Sequence, residues 1–453
     1  MKLLSIFLLI LFPFCTMKQT KTESSLAKEI LIRNVNLVPM DSNRIIESQD
    51  LLIQNGKIVA FGKTGSVKFN ASTLIIEGKG KYLMPGLGEM HAHVPPVDDL
   101  EPMKEVLTLF MLNGVTTIRG MLGHPQHLVL RSKIQSGEII GPRFITSGPS
   151  FNGNSVKTAE EGVAMVEAQK KAGYDFLKLH PGLTPVTFSA IASKAKELGI
   201  PFAGHVSYSV GVWRAIEAGY ATIDHMDGFV ESLVPGIENI SESDAGLFGM
   251  FIGHQADMNR APALLKALKE KNIWVVPTQC LSEKWFSPED PEVLARAPEL
   301  KYMKPSVRNT WLKSKKELQE NPKYNATHIQ QFIEIRRKLL LACQQYGVKI
   351  LLGSDAPQVF DVPGFSTHDE LEFYVAAGFT PYEALRTGTI NIGEFLDIKG
   401  LGQIITGAPA DLILLNGNPL KSIKETRNIE GVILNGHWLN KDYISEELKN
   451  LEK

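Results

Sequence analysis

The sequence predicts an α/β fold on three observations. Strand-like runs alternate with amphipathic helical segments through the middle of the chain, short alternating strands with turn residues occupy both ends, and histidines close several of the strand-like runs. Together they predict a TIM-like (β/α)8 barrel with a small composite β-sandwich domain built from both chain ends. On this reading residues 1–24 are a signal peptide and polar spacer, residues 25–84 and 400–453 form the sheet domain, and residues 85–399 form the barrel. A chain of 453 residues with 43% hydrophobic content has the material for a large core.

At the N-terminus, Lys2 precedes an apolar run over residues 3–14, about half of what a membrane-spanning helix needs, so it reads as a signal-peptide core and not a transmembrane segment. A polar stretch follows, and export to the periplasm or the medium is expected. Cys15 directly after the apolar core is a candidate lipid-attachment residue that would tether the protein to a membrane. Pro13 and Phe14 are poor substitutes for the small residues such a cleavage site prefers, so an incidental cysteine is the alternative. Three cysteines exclude a disulfide scaffold and any cysteine-built zinc or iron–sulfur site, and Cys280 and Cys343 are read as buried thiols. With 48 Lys plus Arg against 49 Asp plus Glu, the net charge of −1 gives no electrostatic reason to expect nucleic acid. The partner expected is a small-molecule substrate, and a homo-oligomer is compatible with the composition.

In chain order, residues 30–38 and 51–59 alternate as strands and Asn55-Gly56 marks a hairpin turn. Residues 410–415 and 431–436 return to the same style, and the two ends are expected to share one sheet, because an isolated hairpin is marginally stable and termini tend to lie close together. Eight runs are candidate barrel strands: 83–91, 116–119, 143–147, 176–179, 202–205, 221–225, 274–278 and 349–353. Residues 158–172, 187–198 and 211–218 are helical by periodicity. The gaps 226–271 and 281–347 exceed a single helix and carry Pro, Trp, Tyr and Met, so they read as insertions over one end of the barrel.

Barrel enzymes place their working residues where strands end and loops begin. His91 and His93 end the first run, His205 the fifth and His225 the sixth, and Asp355 follows the eighth. His91 and His93 are two apart, so both leave the same face of an extended segment and can grip one ion. Imidazole nitrogen and carboxylate oxygen together suit zinc or a similar divalent metal. Each feature alone has an ordinary reading as a surface or packing residue; what points to a metal is that one barrel pattern puts all five at the same rim. Lys178 lies mid-strand in phase with His180, where an ammonium pointing inward is costly unless paired or chemically changed. A neutral amine can add carbon dioxide, and the resulting carbamate can bridge two metals; the alternative is a lysine that points outward or pairs with an acid.

Several stretches carry a family resemblance. They include Met84-Pro-Gly-Leu-Gly-Glu-Met-His-Ala-His93, Gly114-Val-Thr-Thr-Ile-Arg119, Asp175-Phe-Leu-Lys178, Gly353-Ser-Asp-Ala-Pro357 and Gly407-Ala-Pro-Ala-Asp-Leu412. The chain resembles the amidohydrolase superfamily of metal-dependent hydrolases, in its imidazolonepropionase-like and Xaa-Pro dipeptidase-like branch, over roughly residues 30–440. The resemblance implies that His91, His93 and Asp355 hold one divalent ion, foremost Zn2+, that His205 and His225 hold a second, and that carboxylated Lys178 bridges the pair. It implies hydrolysis of an amide or cyclic amide C–N bond, as in dipeptides or N-acyl amino acids, with Asp355 as general base and acid. His180, in phase with Lys178, and Tyr208, three after His205, are candidate contacts to the substrate carbonyl or carboxylate. Arg119 is followed by Gly120 where relatives often have an acid, and residues 150–154 lack a histidine often found there; both departures bear on the substrate. Two rivals remain: a deaminase of the same superfamily, which usually carries glutamate where Tyr208 stands, and a non-catalytic exported barrel that binds metal or ligand.

Overall fold

The computed structural model describes residues 25–453; the expected signal peptide, with Cys15, lies outside them. No helix among the described residues is long and apolar enough to cross a membrane. The first strands are β1 (Ser25–Leu26), β2 (Glu29–Leu37), β3 (Ile46–Gln54), β4 (Lys57–Lys63), β5 (Leu74–Glu77) and β6 (Tyr82–Pro85). The parallel strands follow as β7 (Leu87–Ala92), β8 (Val115–Gly120), β9 (Arg143–Thr146), β10 (Leu177–Leu179), β11 (Phe202–Gly204), β12 (Thr222–Asp224) and β13 (Trp274–Val276). The chain closes with β14 (Leu412–Leu415), β15 (Ile429–Leu434) and β16 (His437–Asn440).

Both chain ends contribute to one nine-stranded sheet, ordered β1-β16-β15-β14-β6-β2-β3-β4, with β5 added parallel to β2. The β3–β4 turn is Asn55-Gly56 with φ 50° and 70°, the two left-handed residues that a tight hairpin demands. The sheet branches at β2 and folds over on itself, so that Ile30, Leu51, Leu83, Leu412 and Ile433 meet in one core. Alternation then ties this sheet to the rest of the molecule. On β14, Leu412 and Leu414 face that core while Ile413 and Leu415 face the larger core; on β6, Leu83 and Met84 divide the same way.

The parallel strands form a three-stranded sheet, β7-β8-β9, and a four-stranded sheet, β10-β11-β12-β13. Isolated bridges Ser147↔Phe176 and Phe151↔Leu179 join them on one side. Two expectations need correction here. The run 83–91 is not one strand: it breaks at Gly86, where a Cβ would lie 2.2 Å from Thr116 Oγ1, and its two halves belong to different sheets. The run 349–353 forms no strand. It serves two neighbours in turn, with Val275 N–H donating to Lys349 O and Leu351 N–H to Val275 O, both at 2.9 Å, before Met90 N–H donates to Leu352 O at 2.8 Å. Neither neighbour has it for long enough to build a ladder.

The expected helices are present as Ala159–Ala172, Pro185–Glu197 and Val212–Ala218. Thr158 and Glu161 cap the first reciprocally, and Gly173 at φ 85° ends it. The longer gaps fold as short helices around Ala261–Glu270, Pro305–Gln319 and Ala326–Tyr346. Buried Lys315 fastens this layer by donating to the carbonyls of Lys284 and Ser287, at 2.6 and 2.7 Å, at the end of the turn Ser282–Phe286.

Candidate metal centre

The site is assembled where β7, β10, β11 and β12 end. Segment 352–356 zips onto the end of β7, with Asp355 N–H donating to His91 O at 3.0 Å and His93 N–H to Ala356 O at 2.9 Å. Fully buried Glu89 fixes that register. Its carboxylate accepts from Ser354 N–H, Ser354 Oγ and Thr367 Oγ1, all at 2.8 Å, and from His91 N–H at 3.1 Å. Burial outweighs these four donors and pushes Glu89 up to about 7. Asp355 and His225 sit in the left-handed region at φ 70° and 62°, unusual for residues that are not glycine and typical of side chains held for function.

His91, His225 and Asp355 each offer a ligand atom, all within 4.8 Å of one another. Around them, His93 Nε2 lies 3.1 Å from Asp355 Oδ1, His91 Nε2 lies 3.2 Å from the same oxygen, and Lys178 Nζ lies 3.4 Å from His91 Nε2. The His205 ring is 4.3 Å from His225 and 4.9 Å from His180, centroid to centroid. The tightest group therefore takes His225 together with His91, across the division into two ligand sets that the resemblance implies, because all these side chains converge in one continuous cluster.

Each inner imidazole has its other nitrogen engaged. His205 Nδ1 faces Asp227 Oδ2 at 3.1 Å, His225 Nδ1 faces Thr278 Oγ1 at 2.8 Å, and His91 Nδ1 contacts Asp224 Oδ2 at 2.9 Å, off the line of a good hydrogen bond. Partners of this kind orient a metal ligand and leave its Nε2 free for the ion. Burial is the main cause that holds His91 and His225 well below the usual imidazole range, His205 at about 3 and His180 at about 2, so all four are neutral near pH 7. His93 Nε2, His225 Nε2 and Asp355 Oδ1 are buried without hydrogen-bond partners among the described residues. A divalent cation would satisfy these atoms, and the donor set fits one.

Lys178 is fully buried, and desolvation lowers its amine to about 8 despite Asp224 and Asp355 nearby. Gly204 makes room for it: a Cβ there would lie 2.8 Å from Lys178 Cδ and 2.5 Å from Leu179 O, on a residue at φ 119°. We therefore expect Gly204→Ala to cost about 1–3 kcal/mol of stability and to lower metal content. Urea denaturation and metal analysis of one preparation check this; wild-type values in both would refute the packing argument.

Of the residues singled out in the sequence, His91, His93, Lys178, His180, His205, His225 and Asp355 come together. Tyr208 does not: its hydroxyl donates to Ile240 O at 2.8 Å and it packs with residues of the 234–256 loop. The sequence reading missed Glu89, Asp224, Asp227, Arg119 and Arg336. Arg119 crosses the interior from β8, donating to Met90 O at 2.7 Å and meeting Asp224 Oδ1 at 3.3 Å. Arg336, on helix Ala326–Tyr346, holds the backbone at the ends of two strands through His225 O and Pro277 O, at 2.7 and 2.9 Å. A cation and an acid in short apolar strands, Arg119 in β8 and Asp224 in β12, were signals that could have been paired.

Phe248 roofs the cluster. Held left-handed at φ 57° between Gly246 and Gly249, it lays its ring nearly parallel to His225 and His205, at 5.1 and 6.0 Å. Behind it opens a cavity of about 1010 Å3, whose wall includes Asp227 and Phe248.

A profile of the amidohydrolase family matches residues 82–439. The chain is 25% identical over 443 aligned residues to the ochratoxinase of Aspergillus niger, covering 88% of this chain and 83% of that protein. Among solved structures, it resembles the bottromycin amidohydrolase AH with a TM-score of 0.71 at 20% identity, covering 94% and 91% of the two chains. It likewise resembles a Xaa-Pro dipeptidase with methionine bound in its active site, with a TM-score of 0.66 at 20% identity, covering 91% and 100%.

Proposed function

Because the chain belongs to the amidohydrolase family, we propose that it is a metal-dependent hydrolase that cleaves amide or cyclic amide bonds, with dipeptides and N-acyl amino acids as its substrates. The observation that carries this reading is the convergence of unpartnered buried imidazole and carboxylate atoms beside a buried lysine. His91, His93 and Asp355 would hold one ion, Zn2+ foremost, and His205 and His225 a second, with Lys178 as a carbamate between them. Divalent cations held there supply the acidity that makes water a nucleophile near neutral pH and the Lewis acidity that polarises a carbonyl oxygen.

The chain's own residues do the rest. Asp355 takes the proton of the attacking water and hands it to the departing nitrogen, so that the leaving group is an amine. Its side chain is 4% exposed and touches both His91 and His93, so the proton it carries is not lost to bulk solvent. His180, neutral and beside His205, can donate a hydrogen bond to the substrate's carbonyl or carboxylate. Glu89 and Arg336 hold the backbone of the ligands in register. The two parallel sheets and the segment over residues 349–356 act together as one barrel that carries these groups. The protein is exported, and Cys15 is its candidate tether.

Metal analysis of the purified protein, combined with an activity screen over dipeptides, N-acyl amino acids and lactams, tests the reading. Two equivalents of divalent metal, a mass increase on Lys178 and turnover abolished by chelation are expected. At fixed dissolved carbon dioxide, reconstitution should quicken as pH rises toward about 8 and level off above it, because only the neutral form of the Lys178 amine adds carbon dioxide. One equivalent of metal with unmodified Lys178 would overturn the binuclear assignment. Bound metal without turnover on any amide would overturn the hydrolase.

A further inference from the structure

Two residues in the segment that leaves the metal centre hold left-handed backbone. Asp355 is at φ 70° and Phe360 at φ 61°, and neither is glycine. Such conformations persist only where the surroundings over-determine them. Around Asp355 those surroundings are the end of β7 and the buried carboxylate of Glu89, which holds Ser354 N–H at 2.8 Å. Around Phe360 they are a tight turn, in which Asp361 N–H donates to Gln358 O at 2.6 Å and Gln358 N–H to Asp361 O at 3.2 Å. One cation holds that turn.

The cation is Lys284, on the turn Ser282–Phe286 that follows β13. Its ammonium donates to Phe360 O at 3.2 Å, to Ser366 Oγ at 3.1 Å and to Asp369 Oδ2 at 2.7 Å, and it lies 3.1 Å from Asp361 Oδ1. Ser366 Oγ also accepts from Val362 N–H at 2.9 Å, so the backbone on both sides of Asp361 is tied to one group. Asp361 is fully buried, and neither of its oxygens has a hydrogen-bond partner among the described residues. The adjacent ammonium is what offsets its charge. The anchor is itself anchored: Lys315 holds the carbonyl of Lys284 at 2.6 Å, and Asp369, on the helix Phe365–Ala376, is also paired with Arg427. Arg427 ends the turn Ile423–Arg427 between β14 and β15, so the clamp runs from the composite sheet to the segment that carries Asp355.

An exposed lysine in a single ion pair contributes little, whereas a side chain 12% exposed with four oxygens in reach fixes a position. The tether to the metal centre is short. Residues 356–359 alone separate Asp355 from Phe360, and Ala356 O is already taken by His93 N–H at 2.9 Å. With its far end released, the segment can shed the strain at Phe360 and let Asp355 turn toward extended backbone. We propose that Lys284 is a positioning residue for Asp355: by holding the turn over residues 358–362, it keeps the Asp355 carboxylate against His91 and His93. The inference rests on the amide-hydrolase reading above and deepens it, adding a residue that acts through the proton carrier.

The test uses the full chain loaded with cobalt(II), whose visible absorption reports the geometry of its ligands. Lys284→Met removes the ammonium and Lys284→Arg keeps a cation. Ser366→Ala removes one partner of the ammonium with a smaller disturbance, and it decides the matter if Lys284→Met folds poorly. On a dipeptide that the wild type hydrolyses, kcat should fall about 10²-fold in Lys284→Met and about tenfold in Ser366→Ala, with KM within about threefold. The cobalt bands should shift in both while metal content stays unchanged, and Lys284→Arg should recover part of kcat. Wild-type kcat with an unchanged cobalt spectrum in the folded, metal-loaded variants overturns the proposal, as does a loss of kcat that only tracks the unfolded fraction. Shifted cobalt bands in a protein that hydrolyses no amide keep the positioning role and overturn the hydrolase reading instead.

Discussion

Asp355→Asn should lower amide hydrolysis by roughly 10²–10⁴-fold while much of the bound metal stays in place. The two effects separate because Asp355 has two jobs. As a donor atom it is one of several around the cluster: His91 and His225 lie within 4.8 Å of it, and His93 Nε2 lies 3.1 Å away. An amide oxygen can still coordinate an ion, though more weakly than a carboxylate. As a proton carrier it is the carboxylate beside the ligands, and the four imidazoles His91, His180, His205 and His225 are held neutral at pH 7, so none of these four accepts and returns a proton in the working range. Metal content by mass spectrometry and kcat on one dipeptide decide the matter. A rate within a few-fold of wild type would remove Asp355 as the proton carrier. Loss of all metal would mean that its coordinating role dominates.

Asp224→Ala is expected to give the largest loss of stability, about 3–5 kcal/mol. Asp224 is fully buried and Arg119 is 2% exposed, and they face each other at 3.3 Å between β12 and β8. Removing the carboxylate leaves a guanidinium in the interior with Thr222 Oγ1 at 3.1 Å, Met90 O at 2.7 Å and the rings of Phe176 and Phe395 as company. None of these carries a charge. Arg119→Met combined with Asp224→Ala should recover most of the loss, because the uncompensated charge goes with its partner. The single variant should also bind metal roughly 10–100-fold more weakly, since His91 loses the group beside its Nδ1. Urea denaturation of the two variants checks the first claim; a single variant within 0.5 kcal/mol of wild type, well below the ~3 kcal/mol expected of a broken buried pair, would show that the pair is not what neutralises Arg119.

What the sequence revealed followed physical periodicities. Histidines at the ends of apolar runs announced themselves, because a strand that ends in His91 or His205 has only one face on which to present it. Lys178 announced itself because an amine in a three-residue buried strand has no ordinary place to go. Partners from distant parts of the chain were harder. Glu89 meets Ser354 and Thr367 only after the chain has returned to the end of β7, and Arg336 reaches His225 from the far side of an insertion. The eighth run has the composition of a buried strand, but its hydrogen bonds are divided between two neighbours. Tyr208 was placed by its distance along the chain from His205, but the 234–256 loop claims its hydroxyl.

The pairing of β6 with β14 sets an order of events during synthesis. Residues 82–85 gain their antiparallel partner only when residues 412–415 have been made. Until then the early strands wait with an open edge and apolar side chains that belong to two different cores, a condition that invites pairing with other chains. The molecule can therefore lock only after nearly the whole polypeptide has left the ribosome, and a helper that keeps the growing chain extended would work with its topology, not against it.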